Sequence, residues 1–181
     1  MSNTNGSRQF WGKYRGTVIQ NIDPEQRGRL QVMVPDVLSL LPSSWAECCA
    51  PFSGMTGAAA GMFVVPPIGA AVWVEFEQGD PNKPIWTGGR WESTADVPPL
   101  AIAPPPIPPG QNIAIQTTLQ NLVLISDAAP TPATGGIVLK STTGAMLVVN
   151  DSGIYINNGK GAMITLIGPT VTINNGALVV I

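Results

Sequence analysis

IVLKSTTG (137–144), AMLVVNDSG (145–153), IYINNGKG (154–161), AMITLIGPT (162–170), VTINNG (171–176) and ALVVI (177–181) divide the last quarter of the chain into short β-rich segments, most closed by Gly or Asn-Gly. Glycines at 136, 144, 153, 161, 168 and 176 recur every seven to nine residues. Side chains alternate within segments, as in Ile154-Tyr155-Ile156-Asn157, which is the two-residue period of a strand with one buried face. Gly and Asn-Gly supply the positive φ of tight corners, and a short repeat of strand plus corner is the mark of a β-solenoid or β-helix. Of these 45 residues, 23 are apolar and only Lys140, Asp151 and Lys160 are charged. Segments this short cannot wrap a closed coil from one chain, so their apolar faces must meet something else. Three copies wound about a common axis would cover them and leave no free edge along the rod. An antiparallel meander packed on the rest of the chain has the same alternation and is the simpler alternative. The inner-face candidates are Ile137, Leu139, Ile154, Ile156, Ile164, Leu166, Val171 and Ile173.

Composition points the same way. Only 11% of the 181 residues are charged, against about 25% in typical soluble domains, so much of the surface is expected to be hidden in an assembly. Twenty Gly and 18 Pro disfavour long helices. No apolar run reaches the length of a membrane span, and MSNTNGSRQFWGKYRG lacks the apolar core of a signal peptide, so assembly in the cytoplasm without Sec export is expected. Cys48 and Cys49 are adjacent, closer than a usual disulfide span, and are expected as free thiols.

Upstream, residues 1–13 read as a polar, mobile arm and 14–96 as a run of short strands. RGTVIQNI, a turn at Asp23-Pro24-Glu25-Gln26-Arg27-Gly28, and the alternating Arg29-Leu30-Gln31-Val32-Met33-Val34 make a hairpin. Further strands are expected at 45–50, 61–66, 71–77 and 85–89, with a Gly/Ala-rich loop over 52–61. Five or six short strands with no helical period suggest a small Greek-key barrel of OB type. Residues 97–112 include VPPLAIAPPPIPPG, expected to be a polyproline II spacer, and 113–181 read as a needle in which 130–136 forms an interrupting loop.

The string Gly61-x-Phe63-x-x-Pro66-x-x-Gly69-x-x-Val72-x-Val74-x-Phe76-x-x-Gly79-Asp80-Pro81-x-x-Pro84 resembles the OB-fold domain of baseplate central spike proteins, found in contractile phage tails, R-type bacteriocins and VgrG proteins of type VI secretion. In that family a trimeric β-helical needle follows the OB domain. The resemblance covers about 85 residues and includes neither the lysozyme-like insertion nor the hub domains of larger relatives. It implies an all-β chain, an OB barrel followed by an intertwined triple-stranded β-helix, acting as a homotrimeric spike in a virion or injection machine. The barrel would dock on a baseplate hub and the needle would pierce the target envelope. The motif residues read as structural: glycines for turns, Val72, Val74 and Phe76 filling the barrel, and Asp80 capping a β-turn.

Catalytic chemistry has little to stand on. The chain has no His, so neither a Ser-His-Asp nor a Cys-His arrangement can be built, and the histidine-held iron of some related needles has no counterpart. Glu75 and Glu77, expected on one strand face, read as solvated surface rather than a glycosidase pair. Vicinal cysteines do not match zinc spacing. No enzyme activity, cofactor or metal is expected. The main rival function, single-stranded nucleic-acid binding by the OB barrel, needs a basic groove with stacking aromatics. Trp45, Trp73, Trp86 and Trp91 exist and residues 8–35 are basic, but the chain carries a net −2. A trimeric glycan-binding tail adhesin is the third reading and would not need the OB string. The apolar segment Leu178, Val179, Val180 and Ile181 is expected to receive a small tip protein resembling the PAAR-repeat proteins.

Overall fold

Leu30, Val32 and Val34 alternate with half-buried neighbours along one short run, and all three are fully buried. Val72, Val74 and Phe76 do the same on another. This period-two burial shapes the N-terminal half of the computed structural model, which describes residues 8–102 and 112–181. The chain divides into two units, Met1–Glu92 and Ser93–Ile181.

The first unit contains β1 (Tyr14–Gln20), β2 (Gln31–Met33), a helical turn α1 (Pro35–Leu38), β3 (Glu47–Cys48), β4 (Ala71–Phe76) and β5 (Pro84–Gly89). The sheet order is β2-β1-β4-β5-β3; β3 runs parallel to β5 and the other pairs are antiparallel. Bridges Leu30↔Ala46 and Met33↔Pro42 join the two ends of this sheet. The cyclic order is therefore β1-β2-β3-β5-β4, the partly open five-stranded barrel of the OB fold. Its interior holds Val18, Leu30, Val32, Val34, Val72, Val74, Phe76 and Trp86. Trp86 keeps its indole N–H satisfied inside by donating to the Gly28 carbonyl at 3.0 Å.

Three expectations need correction here. Phe10 is part of the barrel's packing rather than a mobile arm: its N–H donates to the Gly79 carbonyl at 2.9 Å, and its ring meets Tyr14 and Phe76. The remainder of the expected arm, residues 1–7, lies outside the described residues. Residues 62–66 form no strand, and Met62, Phe63 and Val64 stay exposed. Glu77 does not continue the face of Glu75, because it opens a 3-10 turn over Glu77–Gly79.

The second unit opens with a helical turn, α2 (Pro99–Ile102), and continues as eight strands: β6 (Asn112–Gln116), β7 (Leu122–Thr131), β8 (Thr134–Lys140), β9 (Met146–Asn150), β10 (Gly153–Asn157), β11 (Met163–Ile167), β12 (Thr170–Ile173) and β13 (Leu178–Val180). They lie in sequence order as one antiparallel meander. At 99–102 the polyproline spacer is replaced by a helical turn. Proline suits the first helical position, since its φ is already set there and its missing N–H is no loss. Leu100 then packs on the cluster Leu122, Leu124, Val138, Val148 and Tyr155. Residues 103–111, the rest of that expected spacer, lie outside the described residues. The expected loop at 130–136 is instead the end of a hairpin, with Thr131 paired to Thr134 after a register shift.

Candidate assembly interface

Directly opposed residues of an antiparallel sheet share a face, so the register of the second unit sorts its side chains without ambiguity. One row runs Ile113, Ile125, Ile137, Val149, Ile154, Leu166, Val171, Val180. The next row on that face runs Ile115, Val123, Leu139, Leu147, Ile156, Ile164, Ile173, Leu178. All sixteen are Ile, Leu or Val, two from each strand, and none is buried within the single chain. Ile113, Ile115 and Ile137 are about half to two-thirds exposed, at 62%, 54% and 49%. At a strand spacing of about 4.8 Å, the seven intervals extend the stripe over roughly 34 Å.

The opposite face differs. Its central row reads Ala114, Leu124, Val138, Val148, Tyr155, Thr165, Thr172, Val179, apolar where the unit has its own core and then largely threonine. Tyr155 is buried and donates from its hydroxyl to the Ser152 carbonyl at 3.1 Å. One face is therefore completed inside the chain and the other is left bare.

The corners that hold this register use asparagine as acceptor more than as a φ > 0 residue. Asn150 Oδ1 accepts from the Ser152 N–H at 2.9 Å. Asn158 Oδ1 accepts from Lys160 and Ala162 N–H groups, and Asn174 Oδ1 accepts from Met163 N–H at 3.0 Å. Only Asn174 and Asn175 among them take left-handed φ. These side chains satisfy the backbone at the β9–β10 and β10–β11 reversals, and Thr117, Thr131 and Ser141 accept in the same way at the three reversals before them.

The eight inner-face residues named from sequence all lie on this stripe. Six more were not named from sequence: Ile113, Ile115, Val123 and Ile125, whose segments precede the Gly-spaced repeat, and Leu147 and Val149 within it, where Val148 between them leaves no polar alternation. Leu178 and Val180, expected as a tip-binding surface, continue the two rows; Val179 faces the other way, and Ile181 is almost wholly exposed. Covering one exposed aliphatic side chain contributes up to about 1.5–3 kcal/mol. Forty-eight such side chains in three copies thus outweigh the roughly 4–15 kcal/mol cost of each association step.

In the barrel, the motif positions do structural work. Gly79 has φ +78, and a Cβ there would lie 2.9 Å from Gln9 Cβ and 3.1 Å from Phe10 N, so its bareness admits the docking of Phe10. Asp80 Oδ1 accepts from the Asn82 N–H at 2.9 Å and ties the β4–β5 turn. Pro84, Val72, Val74 and Phe76 lie in the interior, and Gly69 N–H donates to the Val18 carbonyl at 2.8 Å. Gly61 bridges Ser53, while Phe63, two residues on, is exposed. Cys48 and Cys49 are free thiols, and burial pushes the Cys48 thiol up.

A feature the sequence did not announce is an ion pair inside the β1–β2 turn. Asp23 and Arg29 are only 8% and 9% exposed. The carboxylate accepts from Arg29 Nη2 at 2.7 Å, from Arg29 Nε, and from the backbone N–H groups of Glu25, Arg27 and Arg29. The guanidinium beside it, joined by those amides, holds the Asp23 carboxyl far below its usual range. Arg27 pairs with Glu25 and Glu47, and Lys13 with Glu75.

Among the described residues, no cluster of three or more His, Cys, Asp or Glu could hold a metal ion, and no helix is long and apolar enough to cross a membrane. Two family models match the chain in tandem: the Type VI secretion system/phage-baseplate injector OB domain over residues 14–91, and the phage baseplate V C-terminal trimerisation domain over residues 112–179. No curated protein matches it. The boundaries of the two models fall on the barrel and on the meander with the bare aliphatic face, and both families are structural components of baseplates. With these two domains in tandem, the chain is an all-β baseplate spike protein with an injector OB domain and a C-terminal trimerisation domain.

Proposed function

We propose that the protein is the non-enzymatic central spike of a contractile injection machine. Three chains bury their aliphatic stripes against one another to form an intertwined β-helical needle. The OB units dock on the baseplate hub, and sheath contraction drives the needle through the target envelope. The observation that carries this reading is the stripe itself: sixteen aliphatic residues in two unbroken rows. An apolar surface of that extent marks an interface. A rod with such an interior and continuous ladders resists buckling, which is what a mechanical piercing role requires.

Four of the five basic residues within 8–35 are engaged elsewhere, Arg15 being the exception. Lys13, Arg27 and Arg29 are in ion pairs, and Arg8 lies over the Phe10 ring. Trp86 is buried, and Arg90 covers the Trp73 ring. The outer edge of β13 has no strand beside it, and this is where a small PAAR-like tip protein would add.

The test is genetic and structural. Particles assembled without this chain should lack the central density below the baseplate, and should contract without delivering their contents. Particles that still deliver in its absence would overturn the spike assignment. For the tip, removal of residues 177–181 should abolish co-purification of a tip protein; a truncated trimer that keeps its cap would overturn that part.

A further inference from the structure

The N-terminal unit carries two apolar features that the barrel does not use, and they differ in shape. One is a protrusion. Ser39 has φ 54 and ψ −124, and Leu41 N–H donates to the Leu38 carbonyl at 3.1 Å. That is a type II′ turn with serine where glycine is normally required, a strained conformation for a residue with a side chain. What the turn displays is Leu40 and Leu41, 84% and 70% exposed. The other is a groove of about 710 Å³ beside Phe63, lined by Ile22, Gly28 and Val65 among others; Phe63 is 71% exposed. Of its polar walls, Asn21 Nδ2 donates to the Pro66 carbonyl and the one charged group, Asp23, is held by Arg29, which leaves the neutral Gln26. The site therefore asks for an aliphatic guest and not a charged one.

The two features lie at opposite ends of β2. The groove borders the β1–β2 turn that precedes Gln31, and the leucine pair follows Met33 through α1. Threefold association is head-to-tail, so each copy must offer two unlike and complementary patches. The trimerisation domain on the same chain holds three N-terminal units together at a high effective concentration, so a modest contact suffices to close them.

We infer that Leu40 and Leu41 of one copy seat in the Phe63 groove of the next, closing the three OB units into a ring. The inference rests on the trimeric reading above and adds a second interface to it. The strained turn then has a function, since it pre-organises the two leucines for their partner and lowers the ordering cost of binding.

The experiment uses the full chain with Cys48→Ser and Cys49→Ser, so that introduced thiols are the only ones. Leu41→Cys and Phe63→Cys together, treated with a short bis-maleimide, should give covalent dimers and trimers on a denaturing gel, whereas either substitution alone should give neither. If the Leu41→Cys chain is not trimeric by light scattering, Leu40→Cys replaces it. A trimer of correct mass in which neither leucine position cross-links to Phe63→Cys overturns the ring contact alone. A parent chain that is monomeric by light scattering overturns both this contact and the trimeric reading.

Discussion

Asp23 shows how a single residue organises a turn that composition leaves blank. Its carboxylate gathers three backbone N–H groups and a guanidinium, so the ten-residue path from β1 to β2 closes around one buried charge. Asp23→Asn keeps an oxygen acceptor but removes the charge, and leaves Arg29 buried without its partner. Such breakage is strongly destabilising, and the N-terminal unit of this variant should melt at a clearly lower temperature at pH 7, followed by calorimetry. The sign of the pH effect follows from the lowered carboxyl. The unfolded chain takes up a proton near the ordinary value of 3.8, whereas the folded chain resists until far more acidic conditions. The pair's contribution is thus complete above that value and lost as pH falls below it. Melting temperature should therefore drop below pH 3.8 more steeply in the parent than in Asp23→Asn; equal slopes would contradict the assignment. The sequence showed a turn at Asp23-Pro24-Glu25-Gln26-Arg27-Gly28 but not this pairing. A six-residue separation within a turn has no periodicity to betray it, and Arg29 was legible only as an outward member of an alternating strand. The asparagines were half legible: their place at corners follows from sequence, but their use as acceptors depends on geometry.

Among the elements, those with a strict two-residue period were read correctly because burial itself imposes the period. β4 alternates from Val72 to Phe76, and β10 alternates from Ile154 to Asn157, with the expected partition between faces. Segments judged by composition alone fared worse. Residues 61–66 look like a strand, yet only Gly61 finds a partner, in an isolated bridge to Ser53. Pro99 begins a helical turn because Leu100 has an apolar cluster to cover. Phe10 escaped notice in a polar stretch, although one aromatic side chain is enough to dock a segment. Its docking depends on Gly79, where a methyl group would strain the positive φ and press on Gln9 and Phe10. Gly79→Ala should destabilise the first unit by about 1–3 kcal/mol and release the Phe10 amide, read as lost protection in hydrogen exchange. Retained protection would show that the close approach is not what holds the segment. Tyr155→Phe should cost the second unit about 1 kcal/mol, since the part-buried Ser152 carbonyl loses a donor; an unchanged melting curve would mean that the hydroxyl is dispensable.

At the scale of the whole molecule, the chain is built to be incomplete alone. Its barrel and its meander each have an internal core, yet one face of eight strands is left aliphatic from β6 to β13. Trimerisation was legible because a repeat this apolar and this poor in charge leaves a face that a single short-stranded chain does not cover. The meander within each copy was only an alternative, since periodicity fixes which side chains share a face and not how successive strands connect. With a net charge of −2 and most basic groups of the barrel engaged, the protein should show no salt-sensitive, sub-micromolar affinity for single-stranded oligonucleotides; such binding would favour the nucleic-acid reading. The account's central claim is that the aliphatic stripe is the contact between copies, and adjacent residues of β11 test it most directly. Ile164 lies on the stripe and Thr165 on the other face. Sedimentation should give the parent and Thr165→Asp a mass of three times the 18.9 kDa chain. Ile164→Asp, which would bury three uncompensated charges at the axis, should sediment as a monomer or aggregate. A stable Ile164→Asp trimer with an unchanged melting curve would contradict the account.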